Sequence, residues 1–404
     1  MPTGIRLGRI AGISIYLDWS LSIIFVLITF SLAVGAFPHW HPEWSAGVTW
    51  GTAAAAAILF LFSVLIHELS HALVGRIQGI EIKRITLFIF GGMAQMENEP
   101  HAWRAELWMA IIGPITSLIL GVVFLELGLL AAGPIDIEPE NPAYLLATLS
   151  PLSTLLLWLG PVNIILGLFN LVPGFPLDGG RVLRAIMWGI TGNLRRATRW
   201  ASGAGQVFAW ILIITGFAMI FGVRVPFFGT GFVNGLWLAF LGWFLNNAAL
   251  VSYRQLLVRE TLEDVPVSRI MLTNVIKVTP DMRISTFVDR HLMGSDQRTF
   301  PVEENERLAG MISLSDIRKI SREAWPNTTI GDLMTPASQI TVASPKQDSA
   351  EVLFTLARHN LNQLPVVENG KIRGLIRRED LLKWLSLYGG HHSEEMKNEQ
   401  TFPR

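Results

Sequence analysis

The 404-residue sequence contains no cysteine. That excludes disulfides, iron–sulfur clusters, thiolate zinc sites and a cysteine nucleophile. Any metal site must be built from His, Asp and Glu. Charge is also scarce: Asp, Glu, Lys and Arg make up 16% of the chain, against roughly a quarter in soluble globular domains. Hydrophobic types reach 50%. Such a composition excludes a disordered or collagen-like chain and does not suit one soluble domain. The 32 basic residues balance 32 acidic ones, so no overall field points to nucleic acid.

The scarcity of charge is uneven. Residues 1–250 hold 24 of the 64 charged residues and 12 of the 14 Trp. This pattern reads as a membrane domain followed by a soluble one. Six apolar stretches, at 17–37, 52–76, 105–132, 143–172, 204–222 and 231–252, approach or exceed the roughly 20 residues needed to cross a bilayer. The first starts too far in and is too long for a cleavable signal peptide. The connections alternate in Lys and Arg. Arg6 and Arg9 precede the first span, and residues 38–51 have none. Lys83, Arg84 and Arg104 follow the second span, and residues 133–142 again have none. Arg181, Arg184, Arg195, Arg196 and Arg199 follow the fourth, and only Arg224 follows the fifth. The positive-inside rule then puts both termini and the soluble part in the cytoplasm.

The second span carries His67, Glu68 and His71 in an otherwise apolar run. An ionised side chain there costs about 3 kcal/mol on insertion scales, so such residues are candidates for function. Positions i and i+4 share a helix face, so His67 and His71 can reach one metal ion. Two neutral imidazoles suit Zn²⁺, which lowers the pKa of a bound water to about 7. Glu68 is placed to take the proton and pass it to a leaving amine. A third ligand is needed. The fourth span ends in Asn170-Leu-Val-Pro-Gly-Phe-Pro-Leu-Asp178-Gly-Gly, where two prolines and a glycine break the helix. Broken backbone at membrane depth occurs only against protein or a water-filled cavity. Spans two and four both run inward, which brings Asp178 to a depth comparable with His67. Glu126 lies near the outer end of span three and reads as an interfacial residue. His39, His41 and His101 have no partner at ligand spacing, and His391-His392 read as tail.

These motifs resemble the site-2 protease family of intramembrane zinc metalloproteases, in the subgroup with six spans and a C-terminal pair of cystathionine-beta-synthase-type (CBS) modules. The matching residues are His67-Glu68-Leu69-Ser70-His71, Asn170 through Asp178-Gly179, Phe90-Gly91-Gly92-Met93 and Ile112-Gly113-Pro114-Ile115. The resemblance implies one Zn²⁺ per chain on His67, His71 and Asp178, with Glu68 as general base. It implies that Asn170 contacts the substrate or the oxyanion, where an amide can donate to developing charge. The β-rich run at 81–90, followed by Gly91-Gly92, reads as a strand or hairpin dipping toward the site. In the family such a segment is thought to hold substrate in extended form, which here would fall to Phe90, Gly91 and Gly92. The implied activity is hydrolysis of a peptide bond in or near a transmembrane segment of a membrane-protein substrate, as in regulated intramembrane proteolysis. The implied location is the plasma membrane.

The soluble part repeats with a period of about 64 residues. Thr299-Phe-Pro-Val302 answers Gln363-Leu-Pro-Val-Val367, and Gly310 to Asp316 answers Gly374 to Asp380. One unit of this size has a small core, so two are expected to pack together. The pair resembles tandem CBS modules, which in many proteins bind adenine nucleotides. The ribose-contacting pattern Gly-x-x-Ser/Thr-x-x-Asp stands intact as Gly310, Ser313 and Asp316. The second module keeps Gly374 and Asp380 but has Arg377 where Ser or Thr is expected, which contacts phosphate or closes the cleft.

The expected architecture is a polytopic α-helical membrane protein with six transmembrane helices and a short β element, followed by an α/β tandem CBS pair. Its parts are a membrane metalloprotease domain at 1–252, a linker at 253–264, modules at 265–320 and 328–388, and a tail at 389–404. The CBS pair is expected to regulate the protease by binding a nucleotide or partner, and the chain to form a homodimer. A CBS-regulated channel or transporter and a catalytically inactive receptor are the rival readings. Neither predicts H-E-x-x-H matched by an Asp at the same depth.

Because the chain has no cysteine, the orientation is open to single-cysteine labelling without background. A membrane-impermeant maleimide should label Glu43→Cys in intact cells and Glu263→Cys only after lysis. The reverse pattern would overturn the orientation.

Overall fold

The computed structural model describes residues 4–89, 91–96, 100–133, 147–226, 229–295 and 297–388. Phe90, His391, His392 and the expected tail at 389–404 lie outside them. The chain divides into two compact units, Met1–Tyr253 and Arg254–Arg404.

The first unit opens with a hairpin absent from the sequence-based expectation. Strands β1 (Gly4–Ile10) and β2 (Ile13–Asp18) pair antiparallel across Ala11-Gly12, both with positive φ. That is a two-residue turn whose twist matches the strands it joins. Ala in place of the usual Asn or Asp hides it in the sequence. β2 pairs in parallel with β3 (Ile82–Phe88), which pairs antiparallel with β4 (Gly91–Met96). The expected β element at 81–90 is thus part of a four-stranded sheet ordered β1-β2-β3-β4. Ile13 and Ile15 on β2 and Ile82, Ile85 and Leu87 on β3 pack against Leu65, Ala72 and Met109 of the helices. This core fixes the sheet against the stretch of helix that bears His67 and His71.

Among the described residues, six helices are long and apolar enough to cross a membrane. They are α1 (Leu21–Trp40, with a widened turn at Ser31–Ala36), α2 (Ala46–Ile77), α3 (Trp103–Ala132), α4 (Pro151–Asn170), α6 (Leu194–Ile220) and α7 (Phe232–Leu262). Side-chain caps set three of the starts. Ser45 accepts from Val48 N–H, Ser150 from Ser153 N–H and Asn193 from Arg196 N–H. Two stretches depart from expectation. The charged connection at 173–203 contains a 14-residue helix, α5 (Asp178–Thr191), too short to span at 1.5 Å per residue. Most of the expected linker at 253–264 is helical, since α7 runs to Leu262.

Small residues let α3 and α4 approach closely, the usual means of helix association in lipid. A Cβ on Gly121 would stand 2.6 Å from Ile164 Cγ1 and 2.8 Å from the Gly160 carbonyl oxygen.

The second unit holds two copies of one motif. β5 (Thr299–Glu304) and β6 (Arg307–Ser313) form a hairpin, and β7 (Thr335–Pro336) adds to β6. β8 (Gln363–Glu368) and β9 (Lys371–Arg377) form the second hairpin with the same strand lengths and a bulge at the equivalent place. Both turn on two residues of positive φ, Asn305-Glu306 and Asn369-Gly370. Each hairpin has its own core, around Phe287, Phe300 and Ile312 in one and Val352, Leu364 and Ile376 in the other. Helices α8 (Ser349–Arg358) and α9 (Arg378–Tyr388) complete the second copy.

Overpacking the α3–α4 contact tests this arrangement. Gly121→Val should cost about 1–3 kcal/mol. It would be read as a lower unfolding midpoint in detergent, and an unchanged midpoint would contradict the close approach.

Candidate metal centre

His67 and His71 lie one turn apart on the buried face of α2, with their Nε2 atoms 3.2 Å apart. Asp178 opens α5, and its Oδ2 stands 3.1 Å from each Nε2. The three side chains, one of them more than a hundred residues away in sequence, form one cluster.

The segment between α4 and α5 is shaped to deliver Asp178. It is non-helical, but its backbone N–H groups are satisfied. Gly174 N–H donates to Val172 O at 2.8 Å, Phe175 N–H to Ala201 O of α6 at 3.1 Å, and Leu177 N–H to Gly174 O at 3.1 Å. The start of α5 folds back so closely that a Cβ on Gly179 or Gly180 would strike the backbone of 171–175. This explains the two glycines after Asp178.

A single helix orients both imidazoles. His71 Nδ1 donates to the Met109 carbonyl at 2.5 Å, and His67 Nδ1 pairs with Ser117 Oγ at 2.8 Å. Gly113 lies between them on α3, and a Cβ there would fall on the His71 ring. With its proton on Nδ1, neutral His71 turns an Nε2 lone pair toward the cluster. If His67 donates to Ser117, two such lone pairs meet a carboxylate oxygen. Three lone pairs so close repel unless a cation lies between them. Tetrahedral zinc bonds of about 2.0–2.1 Å place ligand atoms about 3.3 Å apart, close to the separations seen. The donor set therefore fits zinc, and the hydrogen bonds to Met109 and Ser117 are the outer partners such a site needs. The sequence-based reading missed Ser117, although the Gly113 motif one turn earlier pointed to that face.

Glu68 is half-buried on the next position of α2, and the Gly92 backbone N–H donates to its carboxylate. A Cβ on Gly92 would collide with the Glu68 side chain. Gly91 begins β4 with φ +124°, a conformation that favours glycine. β4 is the last strand of its sheet, so one edge is unpaired among the described residues. Asn170 is the last residue of α4 and half-buried, and its amide has no hydrogen-bond partner among the described residues. His41, between α1 and α2, stacks on Trp44 and bonds Thr154 at 2.8 Å, a structural role.

In the second unit Ser313 caps the helix at Leu314–Ile317. Its N–H and Oγ both donate to Asp316 Oδ2, and Lys319 pairs with Oδ1 at 2.8 Å. Burial opposes ionisation of Asp316, but the Lys319 and Ser313 hydrogen bonds outweigh it and hold the carboxyl below its ordinary value. Asp380 is engaged by Arg377, whose fork donates to both carboxylate oxygens at 2.7 and 2.8 Å.

Comparison with known proteins follows the same division. Residues 55–214 match peptidase family M50, and 267–323 and 330–387 each match the CBS domain. The chain is 32% identical to the zinc-metalloprotease homologue Rip3 of Mycobacterium tuberculosis over 396 residues, covering 96% of this chain and 94% of that one. The chain belongs to peptidase family M50, the site-2 proteases. It is also 31% identical to zinc metalloprotease MJ0392 of Methanocaldococcus jannaschii over 398 residues, covering 98% of this chain and 100% of that one. A solved site-2 protease from Methanocaldococcus jannaschii is 30% identical and covers 62% of this chain and 95% of that chain, with a TM-score of 0.39. On the family matches and the full-length relatives, the chain is a zinc-dependent membrane protease with a C-terminal CBS pair, and the channel reading is set aside.

Removing the Ser117 hydroxyl isolates one outer partner. Ser117→Ala should weaken zinc binding by about tenfold, measured by chelator competition on detergent-purified protein. Unchanged affinity would show that His67 needs no support from α3.

Proposed function

We propose that this site-2 protease cleaves a peptide bond in or near a transmembrane segment of a membrane-protein substrate, with one Zn²⁺ on His67, His71 and Asp178. The observation that carries this reading is the convergence of their three donor atoms at 3.1–3.2 Å, two of them on a helix able to span a membrane. Zinc held there supplies a Lewis acid and, near neutral pH, a hydroxide source.

The remaining steps belong to the chain. Glu68, held by the Gly92 N–H, takes the proton from the attacking water and gives it to the leaving amine. Asn170 has two amide hydrogens uncommitted among the described residues and suits the developing oxyanion. A helical substrate has its backbone groups occupied and must open before cleavage. The unpaired edge of β4, starting at Gly91 and Gly92 beside Glu68, supports an added substrate strand. The family resemblance supports a plasma-membrane protein, and the Lys and Arg alternation supports termini and a CBS pair in the cytoplasm.

The CBS pair is the regulatory part of this reading. The intact pattern Gly310, Ser313 and Asp316 supports an adenine nucleotide at the first module. In the second, the Arg377 fork on Asp380 competes with a ribose for the same oxygens. Exposed Leu382, Leu387 and Tyr388 on α9 support a homodimer formed through the soluble unit.

Zinc content and cleavage separate the assigned roles. Wild-type protein should carry close to one zinc per chain, and Asp178→Asn far less. Glu68→Gln should keep its zinc while cleavage of a membrane-embedded peptide in proteoliposomes falls about 10²- to 10⁴-fold. Full zinc in Asp178→Asn, or retained cleavage in Glu68→Gln, would overturn the assignment.

A further inference from the structure

Glu106 lies in the first turn of α3 and is 1% exposed. Its Oε1 accepts from Arg184 Nε at 2.6 Å and also from Nη2 of the same guanidinium. Arg181 Nε stands 3.9 Å from the same oxygen. The Arg184 side chain is 12% exposed, with its guanidinium 5.2 Å from the centre of the Phe175 ring. The chemistry proposed above does not use these residues.

Stability is a weak reason to keep such a pair. Burying each ion costs much of its hydration, and a packed apolar replacement is often neutral or better. The location of the pair points elsewhere. On α3, Glu106 starts a stripe through Met109, Gly113 and Ser117, spaced by three and four residues and so on one face. Those are the carbonyl, the gap and the hydroxyl that seat the two imidazoles. On α5, Arg181 and Arg184 follow Asp178 within two turns. Between α4 and α5 the chain is non-helical, so helical continuity does not set where Asp178 falls relative to α2.

We infer that the Glu106–Arg184 pair, assisted by Arg181, is a positioning device: it seats α5 on α3 and so holds Asp178 against the imidazoles that α3 orients. A forked guanidinium on one carboxylate oxygen, stacked on Phe175, fixes rotation as well as separation. An apolar contact of equal volume fixes separation alone. The inference rests on the proposed zinc ligands.

The test uses the full-length chain in detergent, loaded with Zn²⁺ or with Co²⁺ as a spectroscopic probe. Glu106→Gln and Arg184→Gln should lower zinc affinity about tenfold or more, the effect typical of outer-shell partners. They should also shift the visible Co²⁺ absorption as the carboxylate ligand loosens, and lower kcat more than KM. Arg184→Lys, which keeps the charge without the fork, should recover part of the affinity. A merely structural pair would lower the unfolding temperature and leave zinc affinity and the Co²⁺ spectrum of the folded protein unchanged, and that result overturns the inference. If the Gln variants do not fold, Arg181→Gln and Arg184→Lys decide in their place. A smaller shift in the same direction supports the device, and wild-type spectra in both refute it. Wild-type protein without zinc affinity would remove the zinc reading and this role together. Normal wild-type and Asp178→Asn behaviour, with unaltered Glu106 and Arg184 variants, would remove this role alone.

Discussion

Two imidazole nitrogens and a carboxylate oxygen meet within 3.2 Å of one another in a helix bundle, and with both ring protons on Nδ1 their lone pairs repel unless a cation lies among them. Much of the membrane unit serves that convergence. α2 supplies two of the atoms from one turn, and α3 supplies the hydrogen bonds that aim them. The break after α4 and the glycines after Asp178 bring in the third. The sheet packs on the same half of α2 and carries Gly92 to Glu68. These four contributions come from segments spread between residue 4 and residue 180 of the chain.

Sequence made the chemistry legible and the supports much less so. H-E-x-x-H in an apolar run is visible because charge at that depth is costly, and Asp178 because proline and glycine break a span beside it. Ser117 gave no such signal. A serine in a membrane helix is common, and its meaning depends on which face of α3 meets α2. The hairpin β1–β2 was hidden by an Ala-Gly turn and by strands that merge with the first span. α5 was read as part of a charged connection, yet both of its arginines pair with buried Glu106.

The soluble unit shows the complementary case. Its two copies are legible because strand, turn and bulge recur at matching places. At the Ser/Thr position of the ribose-contacting pattern they differ. Ser313 in the first copy is a cap bonded to Asp316, whereas Arg377 in the second grips Asp380 with both arms. The same backbone therefore carries two chemically unlike carboxylate sites.

The way α3 holds the imidazoles has a further consequence. It meets His71 through a backbone carbonyl at 109 and through the missing Cβ at 113, and His67 through a hydroxyl at 117. The side chain at 109 therefore answers to core packing alone and can change with the core. The count of residues from 109 to 117 cannot. One residue more or fewer would rotate part of that stripe by about 100° and slide it about 1.5 Å. At least one ring would then lose its partner, so this stretch of α3 acts as a ruler whose length matters more than its lettering.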